Sequence, residues 1–412
     1  MMKKLLLLFA GILIAIPSFG QFSLRGEVRP RVEFRDGYRR MPLEDEKPAG
    51  QVNQRTRLSL DYDTDRVTTM VSFQDVRLWG QDLQRTHNPS FDLHQAWVEL
   101  AVTDSFFIKA GRQELRYDNQ RFFAINNWLP QGQQHDALLM KYLASFGELH
   151  LGTAFNQTQD RLFGTHYPIN NYKTLNFLWF NTDLSPMVNL SLLGVADGYE
   201  SDENPERLYV RGTWSTFWTL DFDGFRIRTN PALQYGNTRQ GQDIRAWYFM
   251  AEVISGFVPD VNTRAGFELY SGNDFEDPGT RYRAFDPLYG VGHASHGYMD
   301  YFTNIPAHTG GAGLFNPYIR NRITLTESSS LDADLHLFFL QNNYVHDNET
   351  ISKYLGTEID LTLNYRFNEI TFVTLGYSVM FGSESMEIIK GGSKDEFAHW
   401  GYIMLSFRPV FF

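Results

Sequence analysis

Between Phe22 and Arg35 the chain alternates without a slip. Phe22, Leu24, Gly26, Val28, Pro30, Val32 and Phe34 fall on one parity, and Ser23, Arg25, Glu27, Arg29, Arg31, Glu33 and Arg35 on the other. That period belongs to a pleated strand, whose side chains point to opposite faces in turn, and no helix separates residues this way. One face is apolar and the other ionic. A soluble sandwich needs fewer charges in a row, whereas the wall of a membrane barrel uses them all, turning the apolar parity to lipid and the polar parity to the lumen. An arginine at the lipid midplane costs about 2 to 4 kcal/mol. A one-residue slip of this strand would therefore cost on the order of 10 kcal/mol, which fixes its phase.

The rest of the chain continues in strand-like segments, about eighteen in all, a number within the range of such barrels. Their connections alternate in length. After the first strand comes a long polar stretch from Asp36 to Gln51, then a strand at Val52 to Tyr62 and a tight turn at Asp63. A strand at Val67 to Leu78 leads through a loop to one at Asp92 to Val102, which turns at Thr103 and Asp104 into Phe106 to Tyr117. Further long connections are read at 118–134, 157–171, 197–206, 236–243, 273–313, 341–353 and 382–396, and short ones near Ser145, Asp183, Asp221, Pro259, Ser329 and Asn368. Short turns on one side and long loops on the other predict an all-β, single transmembrane, antiparallel up-and-down barrel with long extracellular loops and short periplasmic turns. A propeller or β-helix would show a repeat or uniform connections, and neither is present. The last segment, Phe397 to Phe412, closes the sheet and ends in aromatics.

Composition narrows the picture at three points. Residues 1–20 open on MMKK, run apolar from Leu5 to Ile16 and end in PSFG, the plan of a cleaved secretory signal, and the run is too short to span a bilayer as a helix. The barrel is then expected over 21–412, in the bacterial outer membrane, with membrane lipid and the barrel-assembly machinery as partners, most simply as a monomer. With no cysteine in the chain, disulfides, thiol catalysis and a lipoprotein anchor are excluded. A net charge of −11 argues against a nucleic-acid partner.

The inward parity has a different balance from the whole chain. With every apolar parity turned outward, it collects Arg25, Arg29, Arg31, Arg35, Arg55, Arg57, Arg211, Arg226, Arg228, Arg264, Arg320 and Arg322, and no lysine, against Glu27, Glu33, Asp61, Glu99, Glu268, Asp334, Glu358 and Asp360. Arginine offers a fixed fork of donors that matches a carboxylate and keeps its charge at any working pH, so such a lumen suits acidic sugars or other organic anions. The same interleaving also makes ladders of ion pairs that fill and brace a wall, the reading that leads to a general porin. Arg77 and the trio Arg112, Glu114 and Arg116 share parity with apolar neighbours, and reach the lumen only through a bulge or by lying at the outer rim. Asn321 falls between Ile319 and Ile323 on the outward parity.

Motifs for chemistry are few. There is no GxSxG or HExxH, and a barrel-borne hydrolase would need a Ser, His and acid at one rim, which the spacing does not offer. Hence no enzyme, cofactor or metal is expected. His293 and His296 form an HxxH without a third ligand in view. The SGNDFEDPG stretch at Ser271 to Gly279 clusters carboxylates and reads as an acidic solvated loop.

Several stretches resemble the alginate export family of arginine-lined outer-membrane barrels. These are GRQEL at Gly111 to Leu115 with Arg121 following, Trp128, HDALLM at His135 to Met140, SGN at Ser271 to Asn273, and FDPLYGVGHASHGYMDYF at Phe285 to Phe302, the most specific of them. The resemblance implies an eighteen-stranded barrel passing an anionic polysaccharide through a basic constriction. Two departures stand beside it: the turn at Asn368 is tight where the family carries a long plugging loop, and His135 stands where Phe is usual. Loop 273–313 is expected to fold over or into the outer mouth, because a long loop kept in a compact domain usually has a function.

Overall fold

The computed structural model describes residues 22–85, 90–165, 171–201, 204 and 206–412. The leader read at residues 1–20 lies outside the described residues. The chain forms one antiparallel sheet closed on itself: β1 (Phe22–Asp36), β2 (Ala49–Asp63), β3 (Val67–Leu78), β4 (Phe91–Ala101), β5 (Phe106–Gln113), β6 (His135–Ala144), β7 (Gly147–Phe155), β8 (Thr174–Ser185), β9 (Val188–Glu200), β10 (Leu208–Phe222), β11 (Phe225–Thr229), β12 (Ala232–Asn237), β13 (Asp243–Val258), β14 (Val261–Tyr270), β15 (Leu314–Thr326), β16 (Ser329–Leu340), then after a small loop hairpin β17 (Val345–His346) and β18 (Glu349–Thr350), β19 (Tyr354–Arg366), β20 (Thr371–Gly382) and β21 (Ala398–Phe407). β11 and β12 are one strand interrupted at Asn230-Pro231, since both pair β10 in a single continuous register and the proline has no N–H to give the ladder. The barrel therefore has eighteen strands, in agreement with the alternating pattern.

β1 and β21 close the ring, with Val32 opposite Ile403 and Arg35 opposite Trp400. Beyond β21 the chain keeps to β1: the Gly26 amide donates to Pro409 O, and the Leu24 amide to Phe412 O. The terminal aromatics thus seal the seam. Closure leaves no sheet edge, as a strand-built membrane wall requires.

Burial is inverted relative to a soluble protein. Val28, Val32 and Phe34 are 39%, 49% and 44% exposed, whereas Arg29, Arg31 and Glu33 are 5%, 4% and 1% exposed. The apolar face is the outside of the barrel, and the ionic face is covered because loops fill the upper lumen. Those loops are 114–134 and 271–313, and their side chains Phe122, Phe123, Phe285, Tyr301 and Phe302 make up the middle of the one large apolar cluster. The second loop enters the outer mouth, as its length suggests.

Two expectations about single residues are corrected. β5 was expected to run to Tyr117 but leaves the sheet after Gln113. At Gly111, φ is +123° and an added Cβ would lie 2.2 Å from Ala96 O, so the chain bends there, against β4, in a way only glycine permits. After that bend Leu115 and Tyr117 are buried, and parity no longer predicts direction. The inner wall also carries lysine: Lys141 bonds Glu99, and Lys109, directly opposite Glu99, places its ammonium 3.5 Å from the Trp97 ring centre.

Candidate functional site

The arginines expected in the lumen separate by depth and by what they hold. Near the periplasmic end, Arg25 grips Asp61 through two bonds of 2.9 and 2.8 Å, Arg322 grips Asp332 in the same way, and Arg226 pairs with Asp221. These forks are closed on wall carboxylates. Higher on β1 and β2 the structure brings Arg29, Arg31, Arg55 and Arg57 together, covered by loop 114–134. Arg29 donates to Asn127 O at 2.9 Å, Arg31 to Trp128 O at 3.1 Å, and Arg55 to the Asn127 side chain at 2.8 Å. Arg55 also bonds Glu27, Arg31 and Arg35 bond Glu33, and Arg57 donates to Gln74, whose own amide donates to Gln131 O. This stripe carries a loop on its inner side. Arg29, Arg31, Arg55 and Arg57 are close in space, but the loop occupies the face that a passing anion would use.

The longer loop is seated on two parts of the wall, β9 and β10 on the far side and β19 and the end of β1 on the near side. Arg211 donates two bonds to Asp197 and one to Asp286, and the Tyr289 hydroxyl donates to Asp197 at 3.0 Å. The Met299 amide donates to Glu358 at 2.7 Å, the Tyr298 amide to Asp360, and the Tyr301 hydroxyl to Gly37 O. Gly290 lies so near the other loop that a Cβ would stand 2.0 Å from Arg121 O. The stretch Phe285 to Phe302 owes its particular sequence to this dense seating. Its two histidines diverge: His293 bonds Asp300 at 2.7 Å, while His296 bonds Tyr270 and Glu268. Among the described residues no three His, Cys, Asp or Glu side chains converge on a metal position. The acidic stretch after Ser271 turns its carboxylates to the chain itself, Asp274 capping the Glu276 and Asp277 amides and Glu276 accepting from Asn343.

Between these loops and the wall of β11, β13, β14 and β15 lies a cavity of about 560 Å³. Arg116, Arg121, Arg228, Arg264 and Arg320 line it, against Asp118 and Glu252. Arg121 is neutralised by the buried Glu268, which outweighs the cost of burial and holds the guanidinium above its usual range. Arg320 donates to Ala294 O and Ser295 O at 2.7 and 2.8 Å, and Arg228 stands 3.5 Å from Glu252. Burial pushes the Asp118 carboxyl up, against the bond of 3.0 Å that the Trp179 indole donates to it. Arg116 and Arg264 are exposed to this space and make no hydrogen bond or ion pair among the described residues. Arg264 and Arg320 also line a cavity of about 370 Å³ beside Asp332, Asp334 and Tyr298.

Of these groups, Arg116 and Arg121 lay outside the inward set read from parity. Arg116 follows the bend at Gly111, and the glycine within GRQEL was the available signal. Two of the other off-parity charges stay on the outer rim, Arg112 gripping Asp136 with bonds of 2.8 and 2.9 Å and Arg77 pairing with Asp75, while Glu114 turns inward to the buried His94 at 3.0 Å. Asn321, facing outward, accepts from the Thr263 hydroxyl across the β14 and β15 pairing, so its amide oxygen is satisfied.

Two loops packed on arginines inside an eighteen-stranded wall are matched in sequence over the part of the chain that carries the first of them. Residues 21–151 match the alginate export family. The alginate-export resemblance thus holds over the first seven strands, and no curated protein matches the chain. The fold is that of solved outer-membrane barrels. OpdL of Pseudomonas aeruginosa superposes with a TM-score of 0.65 at 11% identity, covering 96% of this chain and 100% of its own. OccAB1 of Acinetobacter baumannii gives 0.65 at 11%, covering 95% and 97%. OpdK of Pseudomonas aeruginosa, solved with vanillate, gives 0.63 at 9%, covering 95% and 100%. The chain has the fold of outer-membrane channel barrels, and its first third is similar to the alginate export family.

Proposed function

We propose that this channel passes anionic oligosaccharides or related organic acids passively, and that arginines of the lumen hold the carboxylates in transit. The observation that carries this reading is the pair Arg116 and Arg264, two guanidinium groups that line one cavity and are not tied to any carboxylate. A buried arginine normally has an acid beside it, because an unpaired charge is costly to desolvate. One left open in a wet lumen is available to a solute. A carboxylate would exchange water for the arginine fork at each stop, and the stops must be individually weak for the solute to leave. Arg228 and Arg320, partly engaged, would extend the path, with Arg264 and Arg320 shared by the adjoining smaller cavity.

The general-porin reading is favoured by a specific observation too: Arg25, Arg226 and Arg322 are each closed on a wall carboxylate and only brace the barrel. Among similar folds, OpdK was solved with a carboxylate, vanillate. Galacturonate oligomers added to a single channel in a planar bilayer distinguish the two. Transient blocks that shorten at least several-fold in Arg116→Ala/Arg264→Ala support anion holding, and blocks indifferent to both substitutions support the porin.

A further inference from the structure

A second cavity lies on the outer side of the loops and has a different chemistry from the one below. It measures about 630 Å³, inside the range of small-molecule sites, and is enclosed by the loop after β12 and three pieces of loop 271–313. Asn237, Gln240, Gln242 and Asn273 supply amides, and Tyr199 and Tyr282 supply rings. The side-chain amides of Gln240 and Gln242 make no hydrogen bond among the described residues, and that of Asn237 makes one at 3.5 Å. Three charged groups stand on its wall: Arg211 and Asp286 are joined to each other, with Asp197 behind them, and Arg239 lies beside Gln240 on the loop after β12. The backbone at Gly310 and Gly311 has φ of +57° and +83°, and a Cβ at Gly311 would meet nothing nearer than the Asn273 amide at 3.1 Å. The wall is thus kept bare of side chains beside the Asn273 amide, whose oxygen accepts from the Arg283 N–H at 2.7 Å and whose nitrogen faces Gly311.

An amide both donates and accepts within one plane, which suits a hydroxyl pair that does the same, whereas a carboxylate is better served by a guanidinium. Half-buried tyrosines add an apolar platform with a polar tip. We infer that this vestibule is a docking site for a neutral, hydroxylated sugar ring. Its place in transport rests on the anion-channel reading: an acidic oligosaccharide would be met by its rings and hydroxyls in the vestibule and by its carboxylates at the arginines below. The site would also take a neutral sugar that the lower cavity does not hold.

Maltotriose, which has hydroxyls and no carboxylate, tests the site when added to the loop side of a single channel. It should block the current transiently from that side, and Gln240→Ala/Gln242→Ala should shorten the blocks at least five-fold while the heat-modifiable barrel still assembles. Tyr282→Leu should shorten them as well. Arg116→Ala/Arg264→Ala should leave maltotriose blocks as they are while shortening trigalacturonate blocks. Absence of a maltotriose block, or blocks unchanged in the glutamine double variant, would overturn the vestibule site. Trigalacturonate blocks indifferent to the arginine variant would overturn the anion reading and leave a maltotriose effect standing by itself.

Discussion

Trp128 and His293 stack with ring centres 4.0 Å apart and planes 8° from parallel. One comes from loop 114–134 and the other from loop 271–313, and the Arg31 guanidinium covers Trp128 at 3.7 Å from its centre. Two groups that close to one ring must take opposite faces. Arg31, Trp128 and His293 therefore join the β1 wall to both loops, and the loops form one plug.

Trp128→Ala should loosen that plug. Single-channel conductance should rise, while the barrel, held by eighteen strand pairings, should still shift on heating in a mild detergent gel. Truncating a packed aromatic costs about 3 to 5 kcal/mol in a core, enough to free a loop without opening the wall. Unchanged conductance would show that the stack does not set the aperture.

Acid should act on the same plug through Asp300. Burial alone would raise this carboxyl, but the His293 imidazole, together with Tyr38 and Arg39, holds it below its ordinary value. A carboxylate with a depressed pKa stabilises the folded arrangement at all pH above its unfolded value of about 3.9, and that contribution is lost as pH falls further. Conductance should show no Asp300 step from pH 5 to 8 and should rise below about pH 4. Asp300→Asn should already be raised at pH 7 and should lack the acid step.

Arg29 and Arg55 hold the Asn127 end of the plug, at its carbonyl and its side chain. A hydrogen bond to a charged group contributes about 1.5 to 3 kcal/mol. Arg29→Ala/Arg55→Ala should lower the thermal unfolding temperature by several degrees and make the open current noisier as the loop fluctuates, with anion preference retained. Lost preference with unaltered stability would instead give these two the role assigned to the lower cavity.

The wall was legible in the sequence because period-two alternation is enforced wherever lipid lies on one side and water on the other. Phe22 to Asp36 followed it throughout, and even the interruption at Pro231 left the strand count intact. The plug was legible only as length and unusual composition. Its seating depends on pairings between residues far apart, such as Arg29 with Asn127 and Asp197 with Tyr289, which no local period encodes. Arg116 was hidden for a related reason: one glycine, Gly111, bends β5 inward and resets which side chains see the lumen. Parity alone also treats all inward arginines alike, although the structure separates those closed on acids, such as Arg25, those carrying a loop, such as Arg29, and Arg264, which is left open.

The reversal potential in a tenfold KCl gradient reports directly on whether the open arginines select anions, comparing the wild type with Arg116→Ala/Arg264→Ala and with Arg29→Ala/Arg55→Ala. The wild type should prefer anions, the preference should vanish or invert when Arg116 and Arg264 are removed, and it should be kept when Arg29 and Arg55 are removed. A reversal potential that stays put without Arg116 and Arg264 would contradict anion selection by the open arginines.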